Sequence, residues 1–174
     1  VLPDGPIFVV DTHVSYDPDP QAIADMTIMA AEQVRRFGLH PKVAILSHSD
    51  FGTHEDPPAI KMRRAMAEIE ARAPALEIEG EMSADAALSE GIRKAIFPNA
   101  RLKGAANLLV MPTLDAANIS FNILKALGGA QPIGPILLGA AKPAHVIAQS
   151  ATARGIVNIS AVATVDAQAA AGEG

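Results

Sequence analysis

The sequence predicts an α/β fold, with a mostly parallel, doubly wound sheet and helices on both faces. Three observations point there. Short apolar runs rich in β-branched residues and Leu recur at 7–10, 43–46, 108–111 and 133–138, the signature of strands buried on both faces. Segments with apolar residues at helical spacing lie between the strands, and that alternation calls for right-handed parallel crossovers. Apolar residues make up 49% of the chain and are mostly Ala, Ile, Val and Leu, with one Tyr and no Trp, which suits helices packed on a parallel sheet. A chain of 174 residues fits one such domain and can bury roughly 68–75% of its unfolded surface.

Ile7-Phe8-Val9-Val10, between Pro6 and Asp11, is the first strand. From Pro20 onward Ile23, Met26, Thr27, Ala30, Val34 and Phe37 fall at helical spacing, with Asp19 as N-cap and Gly38 as the stop. Residues 43–46 form the second strand. Asp56-Pro57-Pro58 then starts a helix through about residue 73, because Pro is tolerated in a first turn. Met62, Ala65, Met66 and Ile69 would face the core, and Arg63, Glu70 and Arg72 would lie nearer solvent. Residues 76–81 alternate like a half-exposed strand, and Ser83 can cap a helix over 84–89.

Residues 108–111 are the next buried strand, ended by Pro112. Thr113 caps a helix over 116–127 that Gly128-Gly129 stops, and residues 133–138 read as a further strand. Ile156-Val157 and residues 162–165 fit a strand by periodicity, but the long Ala-rich end favours a terminal helix over 153–171. No repeat or linker divides the chain, so the expectation is one domain over 1–170 with a disordered tail at 171–174.

Composition removes several function classes. A formal charge of −5, no basic stripe and few aromatic residues argue against nucleic acid as a partner. The absence of Cys excludes disulfides, thiolate metal sites and a cysteine nucleophile. No stretch approaches the roughly 20 uninterrupted apolar residues of a membrane span. The chain opens on Val1-Leu2-Pro3 without a basic leader. It therefore reads as part of a longer cytoplasmic protein with no membrane partner.

Ligands of open parallel sheets collect outside the carboxyl ends of the strands. Four loops follow the apolar runs: Asp11-Thr12-His13, residues 47–53, Pro112-Thr113 with Asp115 and Asn118, and residues 139–145. The second loop, Ser-His-Ser-Asp-Phe-Gly-Thr, does not make a Ser/His/Asp relay, since consecutive side chains at a strand end point apart. His48, Asp50 and His54 lack metal-loop spacing. Ser47 and Ser49 suit hydrogen bonding to a ligand, and Asn118 suits either a ligand contact or a helix cap. Lys142 precedes Pro143 and so lies on a loop, where it can meet a phosphate or a structural carboxylate. Neither a dinucleotide fingerprint nor a Walker sequence is present.

The segments ILSHSDFGT, EIEGEMSADAAL, LKGAANLLVMPTLDAANISFNIL, IGPILLGAAKPAHV and ARGIVNISAVA together resemble the phosphate acetyltransferase family. The resemblance covers almost the whole chain from Pro41 onward, and the first forty residues fit more loosely. It implies the second subdomain of the phosphate acetyltransferase-like fold plus its C-terminal segment. SHSDFGT, the Glu-Gly-Glu-Met form of the middle motif and SATARGIVN are most similar to the acetyltransferase-like domain that ends large bacterial NADP-dependent malic enzymes.

For a family member that moves acetyl between acetyl phosphate and coenzyme A, the resemblance implies a Ser-Arg pair after the Lys-Pro loop and an Asp just before the last Ile-Val. The Asp would take the thiol proton, the Arg would hold phosphate and the Ser would stabilise the transition state. The matching positions are Ala148, Gln149 and Gly155, none of which ionises. General acid–base help is typically worth about 10²–10⁴-fold, and a transition-state donor on the order of 10²–10³-fold. The expectation is therefore a domain without catalytic residues or metal that binds acetyl-CoA as an allosteric inhibitor and assembles as a homo-oligomer, at least a dimer. Ser47, Ser49, Asp50, Asn118, Lys142, His145 and Arg154 are the candidate ligand contacts. NADP and a divalent metal would belong to upstream domains of a malate-decarboxylating parent. An active phosphate acetyltransferase and a purely structural dimerisation domain stay open as alternatives.

Overall fold

The structure, a computed structural model, describes residues 1–3, 5–129, 131–147 and 151–172. Four parallel strands, β1 (Phe8–Val10), β2 (Lys42–Leu46), β3 (Glu77–Met82) and β4 (Leu108–Val110), form one sheet in the order β1-β4-β2-β3. Side chains of a strand alternate between faces, and the two faces carry two cores. Val43, Ile45, Ile78, Leu108 and Val110 pack under α1 (Pro20–Arg36) and α2 (Pro57–Arg72) through Ile23, Val34, Met62 and Ile69. Ala44, Leu46, Met82 and Leu109 pack on the other face against Ala86 and Ala87 of α3 (Ala84–Leu88) and Ala117 of α5 (Leu114–Leu127). Helices on both faces of a parallel sheet are the architecture the alternating pattern predicts.

Helix starts follow the capping chemistry. Asp19 Oδ1 accepts from Ala22 N at 2.8 Å, Asp56 Oδ1 from Ala59 N at 3.1 Å and Thr113 Oγ1 from Ala116 N at 3.3 Å, each satisfying an orphan donor of a first turn. Residues 153–171 are helical: α6 (Ala153–Ala171) begins at the Thr152 cap and ends at Gly172 in the left-handed region. A short helix unforeseen in the sequence, α4 (Glu90–Ile96), follows α3. The Ser83 hydroxyl does not cap α3; it donates to Asp50 Oδ1 at 2.8 Å.

Two further expectations are corrected. Residues 133–138 are not a strand and pair with no ladder. Pro132 and Pro135 have no N–H to donate, Gly134 sits at φ +121°, and the Leu137 N–H goes to the His145 ring instead. The charged strand β3 is not half-exposed either, since Glu79 and Glu81 are both buried. Glu79 Oε2 accepts from Arg101 N at 2.6 Å, and Glu81 holds the loop described below.

Candidate functional site

All four strands point the same way, so their carboxyl ends share one edge of the sheet. There the loop after β2 winds around a single residue of β3. The β2–β3 register pairs Ile45 with Gly80 and Leu46 with Met82, leaving Glu81 as the extra, unpaired residue of a bulge. Bulges re-aim side chains, and this one turns Glu81 beneath the loop. Its Oε1 accepts from Ser49 Oγ at 2.7 Å, Gly52 N at 2.9 Å and Arg63 Nη1 at 3.1 Å. Its backbone carbonyl accepts from Phe51 N at 2.8 Å, and the next carbonyl, of Met82, accepts from Ser47 N at 2.9 Å.

Further contacts close the loop. Asp50 Oδ1 accepts from Ser83 N at 2.7 Å, and Arg63 Nη1 donates to His54 O at 2.8 Å. Phe51 holds φ +49°, and its ring stacks on Phe97 with centroids 4.6 Å apart. A non-glycine residue in that region is strained, and such strain concentrates where a loop must keep one shape. On the outer side His48 Nε2 lies 2.9 Å from Asp56 Oδ2, and the His48 and His54 rings meet edge-on at 5.0 Å. The hydrogen bond from Ala59 N, opposed by desolvation and aided by the His48 ring, holds the Asp56 carboxyl below the ordinary carboxylate value.

The neighbouring loop, after β1, is built on Asp11. Burial pushes its carboxyl upward, but hydrogen bonds from His13, Ser15 and Val14 outweigh burial and leave it below the usual value. Lys61 Nζ ties the loops after β1 and β4 together, donating to Asp17 Oδ1 at 2.6 Å and to Pro112 O at 2.8 Å. Asn118 Nδ2 donates to Thr12 O at 3.2 Å, and its Oδ1 accepts from Asn122.

The sequence-predicted contacts thus divide. Ser47, Ser49, Asp50 and Asn118 gather at the carboxyl edge. Within that group Ser49 is fully buried, and Asp50 and Asn118 fasten neighbouring loops, so the partly exposed Ser47 hydroxyl and the exposed His48 ring face outward. The structure brings His145 and Arg154 together with neither the loop nor each other. His145 Nδ1 accepts from Leu137 N at 3.2 Å, and its Nε2 lies 3.4 Å from Asp166 Oδ2. Asp166 in turn accepts from Gln33 and Arg36, each at 3.2 Å, at the end of α1. That end lies where the strands begin, as the Phe8–Phe37 contact at 5.5 Å also shows. Arg154 lines a groove there with Val1, Leu2, Gly129, Ile133 and Asn158, and reaches Gln131 Oε1 at 3.4 Å. Lys142 is exposed.

Of the three positions where the family resemblance expects catalytic groups, Ala148 and Gln149 lie outside the described residues. Gly155 occupies the first turn of α6, where its N–H donates to Thr152 Oγ1 at 3.1 Å. Among the described residues no group of three or more His, Asp or Glu side chains is placed to hold a metal ion, and no helix is long and apolar enough to cross a membrane. The sequence reading passed over Glu81 and Arg63. The available signal was Gly80, since a glycine inside a strand pattern marks a bulge or a close backbone approach.

Comparison with known proteins places this geometry in a family. Residues 1–164 match the family described as Phosphate acetyl/butaryl transferase. The chain is 50% identical over 169 residues to the NADP-dependent malic enzyme of Escherichia coli strain K12, covering 97% of this chain and 22% of that protein. It is 40% identical over 159 residues to the phosphate acetyltransferase of Paracoccus denitrificans, covering 91% of this chain and 50% of that one. A phosphotransacetylase structure from Streptococcus pyogenes superimposes with a TM-score of 0.85 at 31% identity, over 93% of this chain and 48% of that one. The chain therefore spans about a fifth of the malic enzyme and about half of the two acetyltransferases. On the extent of the family match, the chain belongs to the phosphate acetyl/butaryl transferase family.

Proposed function

We propose that this chain is the acetyltransferase-like domain of a cytoplasmic NADP-dependent malic enzyme, without acetyl-transfer activity of its own. In this reading it binds acetyl-CoA as an inhibitor of the oxidative decarboxylation of malate and holds subunits of a homo-oligomer together. The observation that carries the proposal is a conjunction. Similarity that covers 97% of this chain and 22% of a malic enzyme coincides with Ala148, Gln149 and Gly155 where a transferring member would need a hydroxyl, a guanidinium and a carboxylate. A glycine N–H engaged with Thr152 cannot accept a thiol proton. The loop around Glu81 is nonetheless fully built, which fits recognition retained without chemistry. NADP and a divalent metal would be held by other parts of such an enzyme.

Inhibition requires acetyl-CoA to favour one quaternary state over another, typically by about 1–3 kcal/mol. The test is calorimetric titration of the full-length protein with acetyl-CoA, paired with its malate-oxidation rate. Saturable binding with a falling rate supports the reading, and no binding at millimolar ligand ends it. The similarity to the Paracoccus denitrificans acetyltransferase favours a second reading, an active phosphate acetyltransferase. Thioester formation from acetyl phosphate and coenzyme A that is abolished by Arg154→Ala would select it.

A further inference from the structure

We infer that Glu81 is the positioning residue of the ligand loop, setting the shape of residues 47–54 without itself touching ligand. This rests on the reading that the loop contacts acetyl-CoA, and it adds what fixes the loop for that task. Four groups converge on Glu81: the Ser49 hydroxyl and the Gly52 and Arg63 N–H donors on Oε1, and the Phe51 N–H on the carbonyl; one residue on, Met82 O accepts from Ser47 N. The side chain is 1% exposed, so no solvent competes for these bonds and no ligand reaches it. Its other oxygen, Oε2, is buried and has no partner among the described residues. All of the carboxylate's hold on the loop therefore runs through one atom.

The backbone is arranged to deliver that atom. Gly80 sits at φ +144°, and a Cβ there would lie 2.6 Å from Ile45 O, so only glycine lets β3 press against β2 and bulge at Glu81. Ser49 Oγ passes the constraint on by accepting from His54 N at 3.2 Å, and Ser49 N donates to Ser47 Oγ at 3.1 Å. The orientation of the Ser47 hydroxyl and of His48 at the rim thus follows from Glu81 through Ser49. If the loop loses its single shape, apparent affinity falls by the fraction of molecules that keep it.

The experiment compares the full-length wild type with Glu81→Met, Glu81→Gln and Ser49→Ala, by peptide-level hydrogen exchange and by acetyl-CoA titration. Glu81→Met keeps volume and removes the acceptor. It should speed exchange in 47–54 while the strands at 8–10 and 108–110 stay protected, and raise Kd about tenfold if the loop keeps its shape in one molecule in ten. Glu81→Gln retains an amide oxygen for Ser49 and Gly52, and should rescue part of both effects. Ser49→Ala deletes one donor from an intact Glu81 and should loosen 47–54 to a lesser degree; it decides the matter should Glu81→Met lose protection everywhere. Unchanged loop exchange in both Glu81→Met and Ser49→Ala overturns the inference, as does a loosened loop with unaltered Kd. A wild type that ignores acetyl-CoA refutes the functional reading instead, and loop exchange alone then judges Glu81.

Discussion

Gly80 and Ile45 meet so closely across β3 and β2 that a Cβ added at Gly80 would lie 2.6 Å from the Ile45 carbonyl oxygen and 2.9 Å from its Cβ. Both obstacles belong to a buried central strand, which has no room to yield. Gly80→Ala should therefore destabilise the protein by about 2–4 kcal/mol, combining overpacking with the strain of a side chain at positive φ. Thermal unfolding would show a Tm lower by roughly 5–15 °C at that cost. Gly38 offers the control: it also holds positive φ, +75°, but a Cβ there meets nothing within 4 Å, so Gly38→Ala should cost only about 1 kcal/mol.

Arg93 is fully buried, and among the described residues no carboxylate meets its guanidinium. Nη1 donates to Ala86 O at 2.8 Å and Ala87 O at 3.3 Å, and Nη2 to Leu102 O at 3.1 Å and Gly104 O at 2.6 Å. Ala86 and Ala87 lie in the last turn of α3, whose carbonyls have no helical partner. One side chain therefore closes α3 and pins the approach to β4. Arg93→Ala would take this donor from the Ala86, Leu102 and Gly104 carbonyls and open a cavity, while Ala87 O keeps its bond from Ala106 N, and should cost about 3–5 kcal/mol. Arg93→Lys, with one terminal nitrogen for two, should recover only part of it. Urea unfolding of the two variants measures both.

Glu81 and Arg93 mark where the sequence could be read and where it could not. Apolar periodicity located α1, α2, β2 and β4, and capping chemistry placed Asp19 and Thr113 correctly, because both signals are local, whereas the Ser83 hydroxyl, expected to cap α3, is drawn off to Asp50 by a tertiary contact. Glu77-Ile78-Glu79 alternates like a solvated strand, and nothing local reveals that Arg101 and the 47–54 loop return to satisfy Glu79 and Glu81. Nothing local marks Arg93 as buried either, since its partners include the carbonyls of residues 102 and 104, which arrive from another segment. Residues 133–138 failed for the opposite reason: their apolar content suited a strand, but Pro135 within the run, Pro132 just before it and a positive-φ glycine at 134 disrupt the ladder geometry. The resemblance grouped Lys142, His145 and Arg154 with Ser47, whereas the structure puts His145 and Arg154 at the far edge of the sheet.

Acid should weaken the loop after β1. The Asp11 carboxyl is held below its ordinary value of 3.8 in the folded state, so its contribution is fully present above that value. As pH falls below 3.8 the unfolded chain takes up the proton first, and the contribution is lost as pH passes through the lower folded value. Asp11→Ala should lower stability at neutral pH by about 0.5–1 kcal/mol, a modest figure because the site is only partly buried and solvent screens it. The difference between variant and wild type should vanish once pH lies below the folded value. Denaturant midpoints measured from pH 6 downward check both the sign and the window.

The apolar face of α5 bears on the proposed assembly. Ala117 is its one buried residue, whereas Ile119, Ile123 and Leu127, spaced four apart and hence on one side of the helix, are 58%, 52% and 84% exposed. On α6, Ile156, Val157 and Val165 are exposed as well. A contiguous apolar stripe of this kind marks an interaction surface in soluble proteins, and two-fold pairing would bury it against itself. Ile119→Asp combined with Ile123→Asp should therefore shift the full-length protein to a smaller species in light scattering. Its Tm should be unchanged or lower, because subunit association stabilises the fold by mass action. The Ile123→Val variant keeps the face apolar and should assemble as the wild type does. A double-Asp variant that keeps the wild-type mass would remove α5 from the interface and leave the exposed residues of α6 as the surface to test.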